Sequence, residues 1–364
     1  MLRHGETGRH ESGMNLIPTR GCATREYLFS PPKQRCTEKS RSSVSVPPSP
    51  PNPQWRHDEG GVLAMHSRKI ETLQHGLRGA IPALVTPWRN NTIDDRALNV
   101  LIGRFVDAHC TGIVIAGSTG EGILLQPEEL LHLARRVRTI TPQHICVVAG
   151  LCHPSSSQAA MLAQALEQTG IDGLMVTVPP YLRPNDAGII QHYQYIAQRS
   201  TLPLLMYNIP KRTGTNVSLA VISQLSECGV IQGIKESADN ADRIRQVLDA
   251  TQSSFIALCG DDAATPFMIE SGCKGTVSVL TNLYPKTIQK IHNLLAEGKH
   301  IEARELSATL APLQACLEQE PNPQGIKFAL STLSICDSEV RAPLVPCSQE
   351  TQQQICTRMQ HKYN

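Results

Sequence analysis

The sequence predicts a (β/α)8 barrel with a C-terminal helical appendage and a disordered N-terminal extension, and three observations carry that prediction. Eight short apolar runs recur between residues 79 and 279, each followed by a loop and an amphipathic stretch. No Gly-x-Gly-x-x-Gly turn follows the first run, which disfavours a doubly wound open sheet. Beyond residue 298 such runs cease and leucines at helical spacing replace them.

Residues 1–75 differ in kind from the rest. Positions 38–54 are rich in Ser and Pro and cannot bury enough apolar surface to order themselves. A signal peptide needs an apolar stretch of about 7–15 residues, and none is present. The Arg and Ser content is compatible with a transit peptide, but Glu6, Glu11 and Glu26 count against one. Met65 stands just before the ordered pattern, so the segment reads as a disordered or non-native extension.

The barrel is expected over residues 76–298, with strands at 79–85, 112–116, 145–149, 173–178, 203–207, 230–234, 254–259 and 275–279. Between them, Pro127 to Ile140 places Leu130, Leu133, Ala134 and Val137 on one helical face, and Pro127, Glu128 and Glu129 suit its first turn. A second helix runs from Pro154 to Gln168 and stops near Gly170, a good left-handed cap. Asp239 is the expected N-cap of a helix carrying Ile244, Val247 and Leu248. In the third segment, 299–364, Ala303, Leu306, Leu310, Leu313 and Leu317 predict two or three helices packed on the barrel's side.

Composition bounds the partners. The chain has 364 residues, 40% of them hydrophobic, enough for a sizeable core. A formal charge of +2, with Lys and Arg scattered, points away from nucleic acid. No apolar run approaches the ~20 residues needed to span a bilayer, so no membrane partner is expected. Twelve cysteines form no Cys-x-x-Cys pair and join no His pair at ligand spacing. They indicate a reducing compartment, the cytoplasm, and no structural metal.

Active groups of such a barrel lie at the C-terminal strand ends. The second strand ends in Gly117-Ser118-Thr119-Gly120-Glu121, the fourth in Pro179-Pro180-Tyr181, and the fifth in Tyr207-Asn208-Ile209-Pro210-Lys211-Arg212-Thr213-Gly214. The sixth ends in Gly233-Ile234-Lys235-Glu236, the seventh in Gly260-Asp261-Asp262, and the eighth in Val277-Ser278. Each has a plain reading beside the chemical one. The glycines of 117–120 serve an ordinary turn or an anion nest. Tyr207 packs or moves protons, and Arg212 is a surface charge or a carboxylate clamp. Asp261 and Asp262 cap the next helix rather than bind metal. Taken together, an amine, a phenol, a hydroxyl, an anion nest and a guanidinium suit Schiff-base chemistry on a small keto acid.

These motifs, in this order, resemble those of the dihydrodipicolinate synthase/N-acetylneuraminate lyase superfamily of class I aldolases from residue 77 to about 345. Arg212-Thr213-Gly214 and Glu320-Pro321-Asn322-Pro323 resemble the synthase branch. The resemblance implies condensation of pyruvate with L-aspartate-4-semialdehyde to 4-hydroxy-tetrahydrodipicolinate, with no cofactor beyond a Schiff base on Lys235. It implies Tyr207, Ser118 and Tyr181 as a proton relay, with Tyr181 reaching in from a neighbouring subunit of a homotetramer built from dimers. It further implies Thr119 and Ser118 as the pyruvate-carboxylate nest, Val277 as the backbone contact opposite, Gly260 as a further substrate-binding position, and Arg212 as the grip on the semialdehyde's carboxylate. Ser118 and Pro180 depart from the branch's usual threonine and tyrosine. Two rivals remain: a sialic-acid or keto-sugar-acid lyase on the same scaffold, and an idle barrel serving as a binding protein.

In lysine-inhibited members, positions matching Gly122, Pro127, Leu130 and Pro154 carry polar or imidazole groups that hold the effector. All four are non-polar here. Millimolar L-lysine is therefore expected to inhibit this chain weakly or not at all, and strong inhibition in a dose–response series would contradict that expectation.

Overall fold

The structure, a computed structural model, describes residues 60–237 and 241–360. Most of the expected N-terminal extension, and Asp239, lie outside the described residues. Where the extension was expected to end at residue 75, helix α1 (Gly60–Gly76) already begins at residue 60. Its last turn reaches the barrel: Leu73 and Leu77 are fully buried and pack with Ile81, Cys146 and Met175 in the barrel interior. The strand starts leave room for this plug. A Cβ on Gly173 would come within 2.9 Å of Leu73 Cδ1, and one on Gly112 within 2.6 Å of the Gly76 carbonyl oxygen. Residues 67–72 are exposed or half-buried, so the stretch lacks the apolar stripe by which a helix is read from sequence.

Eight parallel strands follow: β1 (Gly79–Pro82), β2 (Gly112–Ile115), β3 (Cys146–Leu151), β4 (Gly173–Thr177), β5 (Leu204–Asn208), β6 (Gly233–Glu236), β7 (Ile256–Cys259) and β8 (Gly275–Ser278). Each pairs with its neighbour in sequence, and β8 returns to pair with β1 through Gly79 and Gly275. A single parallel bridge, Ala83 to Val114, closes the ring between β1 and β2. This is the expected (β/α)8 barrel. Side chains alternate along each strand. Ile81, Val114, Val148, Met175, Leu205, Leu258 and Val277 point inward into one cluster, while Ile113, Val147, Leu174, Met206 and Ala257 point outward against the helices. Both faces are covered, and for that reason the runs are apolar throughout.

The helices are α2 (Asp95–Asp107), α3 (Pro127–Ile140), α4 (Ser156–Glu167), α5 (Asp186–Ala197), the single turn α6 (Pro210–Thr213), α7 (Leu219–Glu227), α8 (Ala241–Asp249), α9 (Thr265–Glu270) and α10 (Pro285–Ala296). Helix α3 has the expected bounds and buries Leu130, Leu133, Ala134 and Val137. Helix α4 starts two residues later than expected, because the Ser155 side chain accepts a hydrogen bond from the Gln158 N–H and so caps it. Three C-terminal helices follow, α11 (His300–Leu317), α12 (Gln324–Thr332) and α13 (Gln349–Met359), with Leu310, Leu313 and Leu317 buried. A two-stranded ribbon, 88–89 against 92–93, sits between β1 and α2.

Among the contacts that join the appendage to the barrel is one buried carboxylate. Glu121, at a left-handed φ of 53° directly after the β2 loop, is 2% exposed. Its Oε1 accepts from Trp88 Nε1 at 2.9 Å and from Lys327 Nζ at 2.7 Å, and its Oε2 accepts from the Arg341 N–H at 2.8 Å. Both side chains of the Lys327–Glu121 pair are fully buried. Burial pulls the Lys327 ammonium below its ordinary pKa, and the Glu121 charge opposes that shift.

Two predictions follow from this packing. Lys327→Met leaves a buried carboxylate without its counter-charge and is expected to cost about 3–5 kcal/mol. The readout is a lower denaturant midpoint at unchanged slope. His192 and His292 are buried with their Nε2 atoms unbonded, and burial lowers both pKa values to about 4, His153 adding to the effect at His192. The ordinary histidine value near 6.5 then belongs to the unfolded chain, which takes up protons first as pH falls. Stability is thus complete above pH ~6.5 and declines toward pH ~4, by up to about 1.4 kcal/mol per pH unit for each imidazole. Thermal unfolding at pH 7.5 and pH 5 measures the loss, which His292→Leu is expected to reduce.

Candidate active site

Lys235 lies inside β6, which corrects the expected strand end at residue 234. Alternation sends Glu236 outward, where it is fully buried and accepts from Arg243 Nε at 2.8 Å and from Asn208 Nδ2 at 2.8 Å. With that carboxylate held among the helices, Lys235 must face the barrel interior. It is 6% exposed, and its Nζ lies 4.1 Å from the centroid of the Tyr207 ring, a cation–π contact. Among the described residues no carboxylate pairs with it. Gly260, at the end of β7, gives the lysine its space: a Cβ there would stand 2.9 Å from Lys235 Cε and would clash with Ser237 Oγ.

Register places further groups beside this pair. Tyr207 is the Cα partner of Lys235, and Thr177 is the Cα partner of Tyr207, so the three form a row across β4, β5 and β6. Above the row opens a cavity of about 300 Å³ whose walls include Ser118, Cys152, Thr177, Tyr207, Arg212 and Asn322. A second cavity of about 420 Å³ adjoins it through Ile209, Arg212 and Asn322, and Gly260 lines that one.

The loop after β2 has the geometry of an anion nest. The Gly120 and Gly122 N–H groups both donate to the Gly117 carbonyl at 3.1 and 3.0 Å, which curls the chain. Among the described residues the Ser118 and Thr119 N–H groups make no hydrogen bond, so both are free to donate to a ligand. Thr119 is buried, and its Oγ1 accepts from Asn322 Nδ2 at 3.0 Å. Asn322 thus brings the C-terminal segment into the mouth.

Arg212 projects from the one-turn α6, which Pro210 starts and Gly214, at φ 70°, stops. It is exposed and sits on the cavity wall. Burial raises the Cys152 thiol above its ordinary pKa, while the Thr177 hydroxyl and then the Arg212 charge partly offset it, and Cys152 and Arg212 line the same cavity. Val277 is an interior wall residue, 2% exposed and clustered with Tyr207. Tyr181 is not gathered into the cavity. It stands 94% exposed at φ 70°, and Pro180 lines the wall in its stead. Asp261 does not cap α9, whose N-cap position is Ala264; its Oδ1 accepts from the Ala263 N–H at 2.9 Å in the turn before the helix. Asp262 departs from the expected cap: its Oδ2 accepts from the Val279 and Leu280 N–H groups at 2.9 and 3.1 Å, tying β7 to the loop after β8. Burial raises its pKa to about 6.

Asn322, Cys152 and Thr177 were missed as site residues. For Thr177 a signal existed: counting alternation up β4 from the inward Met175 puts it inside the barrel.

Comparison with known proteins agrees with this architecture. The Dihydrodipicolinate synthetase family matches residues 76–362. A 4-hydroxy-tetrahydrodipicolinate synthase of Cellvibrio japonicus is 34% identical over 285 residues, covering 78% of this chain and 98% of the relative. The solved synthase of Methylacidiphilum fumariolicum SolV superposes with a TM-score of 0.76 at 35% identity, covering 78% of this chain and 95% of its own. A structure described as the first monomeric dihydrodipicolinate synthase variant gives 0.77 at 29% identity, covering 79% and 98%. The chain belongs to the dihydrodipicolinate synthetase family.

Proposed function

We propose, from this family membership and the geometry of the barrel mouth, that the chain is a 4-hydroxy-tetrahydrodipicolinate synthase condensing pyruvate with L-aspartate-4-semialdehyde. The observation that carries the proposal is Lys235, buried without a carboxylate partner among the described residues, with its Nζ 4.1 Å from the ring centroid of Tyr207, which lines an open cavity. A lysine so placed is a nucleophile for a ketone. Its amine adds to pyruvate C2, the carbinolamine loses water, and the imine forms. Proton loss from C3 gives an enamine, which attacks the aldehyde carbon. The semialdehyde's own amine then adds to the imine carbon, closing the ring and releasing Lys235. The lysine itself is the electron sink, so this route uses no external cofactor.

The other residues take roles in this scheme. The free N–H groups of Ser118 and Thr119 hold the pyruvate carboxylate, with Val277 opposite and Gly260 keeping the lysine's space open. Tyr207 and Ser118 move protons at C2 and C3. Tyr181 completes the relay from a neighbouring subunit; its 94% exposure in a single chain and its left-handed backbone support that reading. On that basis the assembly is a homotetramer built from dimers. Arg212, exposed and forked, grips the semialdehyde's carboxylate. The ten described cysteines are all free, which supports a cytoplasmic enzyme.

Borohydride with pyruvate is expected to leave a carboxyethyl group on Lys235. Lys235→Ala is expected to lose both the adduct and about a thousandfold or more in rate. No mass gain at Lys235 would sink the proposal. Arg212→Ala is expected to raise KM for the semialdehyde by about tenfold or more while pyruvate trapping persists. A coupled assay offering N-acetylneuraminate in parallel separates this enzyme from a lyase of the same scaffold.

A further inference from the structure

Thr177 has no role in the scheme above, yet its placement is unusual. It ends β4, faces inward by alternation from Met175, and is 8% exposed. It lines the same cavity as Ser118, Tyr207 and Arg212. Its Oγ1 is buried and, among the described residues, has only the Cys152 thiol as a hydrogen-bond partner. The polar group set nearest in the chemistry of the site is the Cys152 thiol, whose pKa that hydroxyl pulls downward; a thiol is a weak hydrogen-bond partner. A buried hydroxyl without a good partner is unfavourable, and it gains one when a polar ligand group arrives.

Register says which ligand. The row across the barrel runs Thr177, Tyr207, Lys235, so Tyr207 separates Thr177 from the lysine. A group held on Lys235 is therefore one strand beyond Thr177's direct neighbour. On its other flank lies Cys152, in the segment that continues β3, and Cys152 carries the influence of the Arg212 charge. Thr177 thus sits between the Tyr207 ring and the Arg212 side of the mouth, where the second substrate must lie once pyruvate occupies the lysine.

We propose that Thr177 is a specificity-determining residue for the second substrate, its hydroxyl donating a hydrogen bond to the carboxylate that Arg212 grips. The inference rests on the reading of this chain as a pyruvate–semialdehyde condensing enzyme. Two donors of different kinds then define the carboxylate position: an exposed, mobile guanidinium and a short hydroxyl fixed to a barrel strand. The strand-borne donor sets distance and angle, while the guanidinium supplies charge. A site built this way discriminates against an aldehyde lacking the carboxylate, because Thr177 then keeps only the weak Cys152 thiol as a partner.

The test compares Thr177→Val, which keeps the shape and removes the hydroxyl, with Thr177→Ser, which restores it. Thr177→Val is expected to raise KM for the semialdehyde about tenfold, the size of a lost hydrogen bond to a charged group. KM for pyruvate and borohydride trapping at Lys235 are expected to stay at wild-type values, which shows that the fold and the lysine are intact. Thr177→Ser is expected to recover most of the loss. Thr177→Val with an unchanged semialdehyde KM overturns the inference alone. Wild-type protein that traps pyruvate yet leaves the semialdehyde unconsumed overturns both this inference and the reading beneath it.

Discussion

The buried carboxylate of Glu121 is the constraint on which the mouth of the barrel depends. Three stretches distant in sequence converge on it: Trp88 from the ribbon after β1, Lys327 from α12, and the Arg341 backbone. Arg341 also lays its guanidinium over the Trp88 ring, 3.7 Å from the centroid, and Lys327 Nζ lies 5.7 Å from it, so the same three stretches meet a second time. Neutral packing would fill this volume at lower desolvation cost. What the ion pair adds is direction, since a carboxylate with three donors admits one arrangement of those donors. Glu121 directly follows the loop bearing Ser118 and Thr119, so the orientation of their free N–H groups is inherited from this buried knot.

The helical appendage is accordingly part of the site. Asn322, two residues before α12, donates to Thr119 Oγ1 and lines both cavities, while Lys327 on the same helix holds Glu121. One short stretch therefore fixes the nest at its side chain and at its base. Removing it would free the β2 loop on two sides at once. A barrel alone would retain the lysine strand and lose the anchors of its β2 loop.

Strand positions and the identity of the lysine were legible because they rest on patterns local to a few residues. Apolar runs covered on both faces stand out, and every expected strand overlaps an observed one. The errors have physical causes. A cation after four apolar residues reads as a strand end, but Lys235 is in the ladder because Glu236 beyond it is anchored by Arg243 and Asn208. Among its described side chains, helix α1 meets the barrel core by its last turn, and residues 67–72 before it carry no buried apolar stripe. Asp262 was read as a cap because caps are local, whereas its partners lie 17 and 18 residues away. Thr177 and Asn322 acquire meaning from register and long-range contact, which composition does not encode.

Lys235 and Arg212 begin as two cations in a sequence and end in opposite surroundings. Arg212 stays exposed on a single helical turn, with its planar fork turned to no buried partner in the core among the described residues. Lys235 is 6% exposed, faces an aromatic ring, and is spared a neighbour's side chain by Gly260. Burying an ammonium without a counter-charge is unfavourable, and bond formation to a carbonyl carbon is one way for the group to relieve it. The division follows from alternation and from glycine at one position. Were Lys235 one residue earlier or later in β6, it would lie among the helices as Glu236 does, and the barrel interior would hold no amine beside Tyr207.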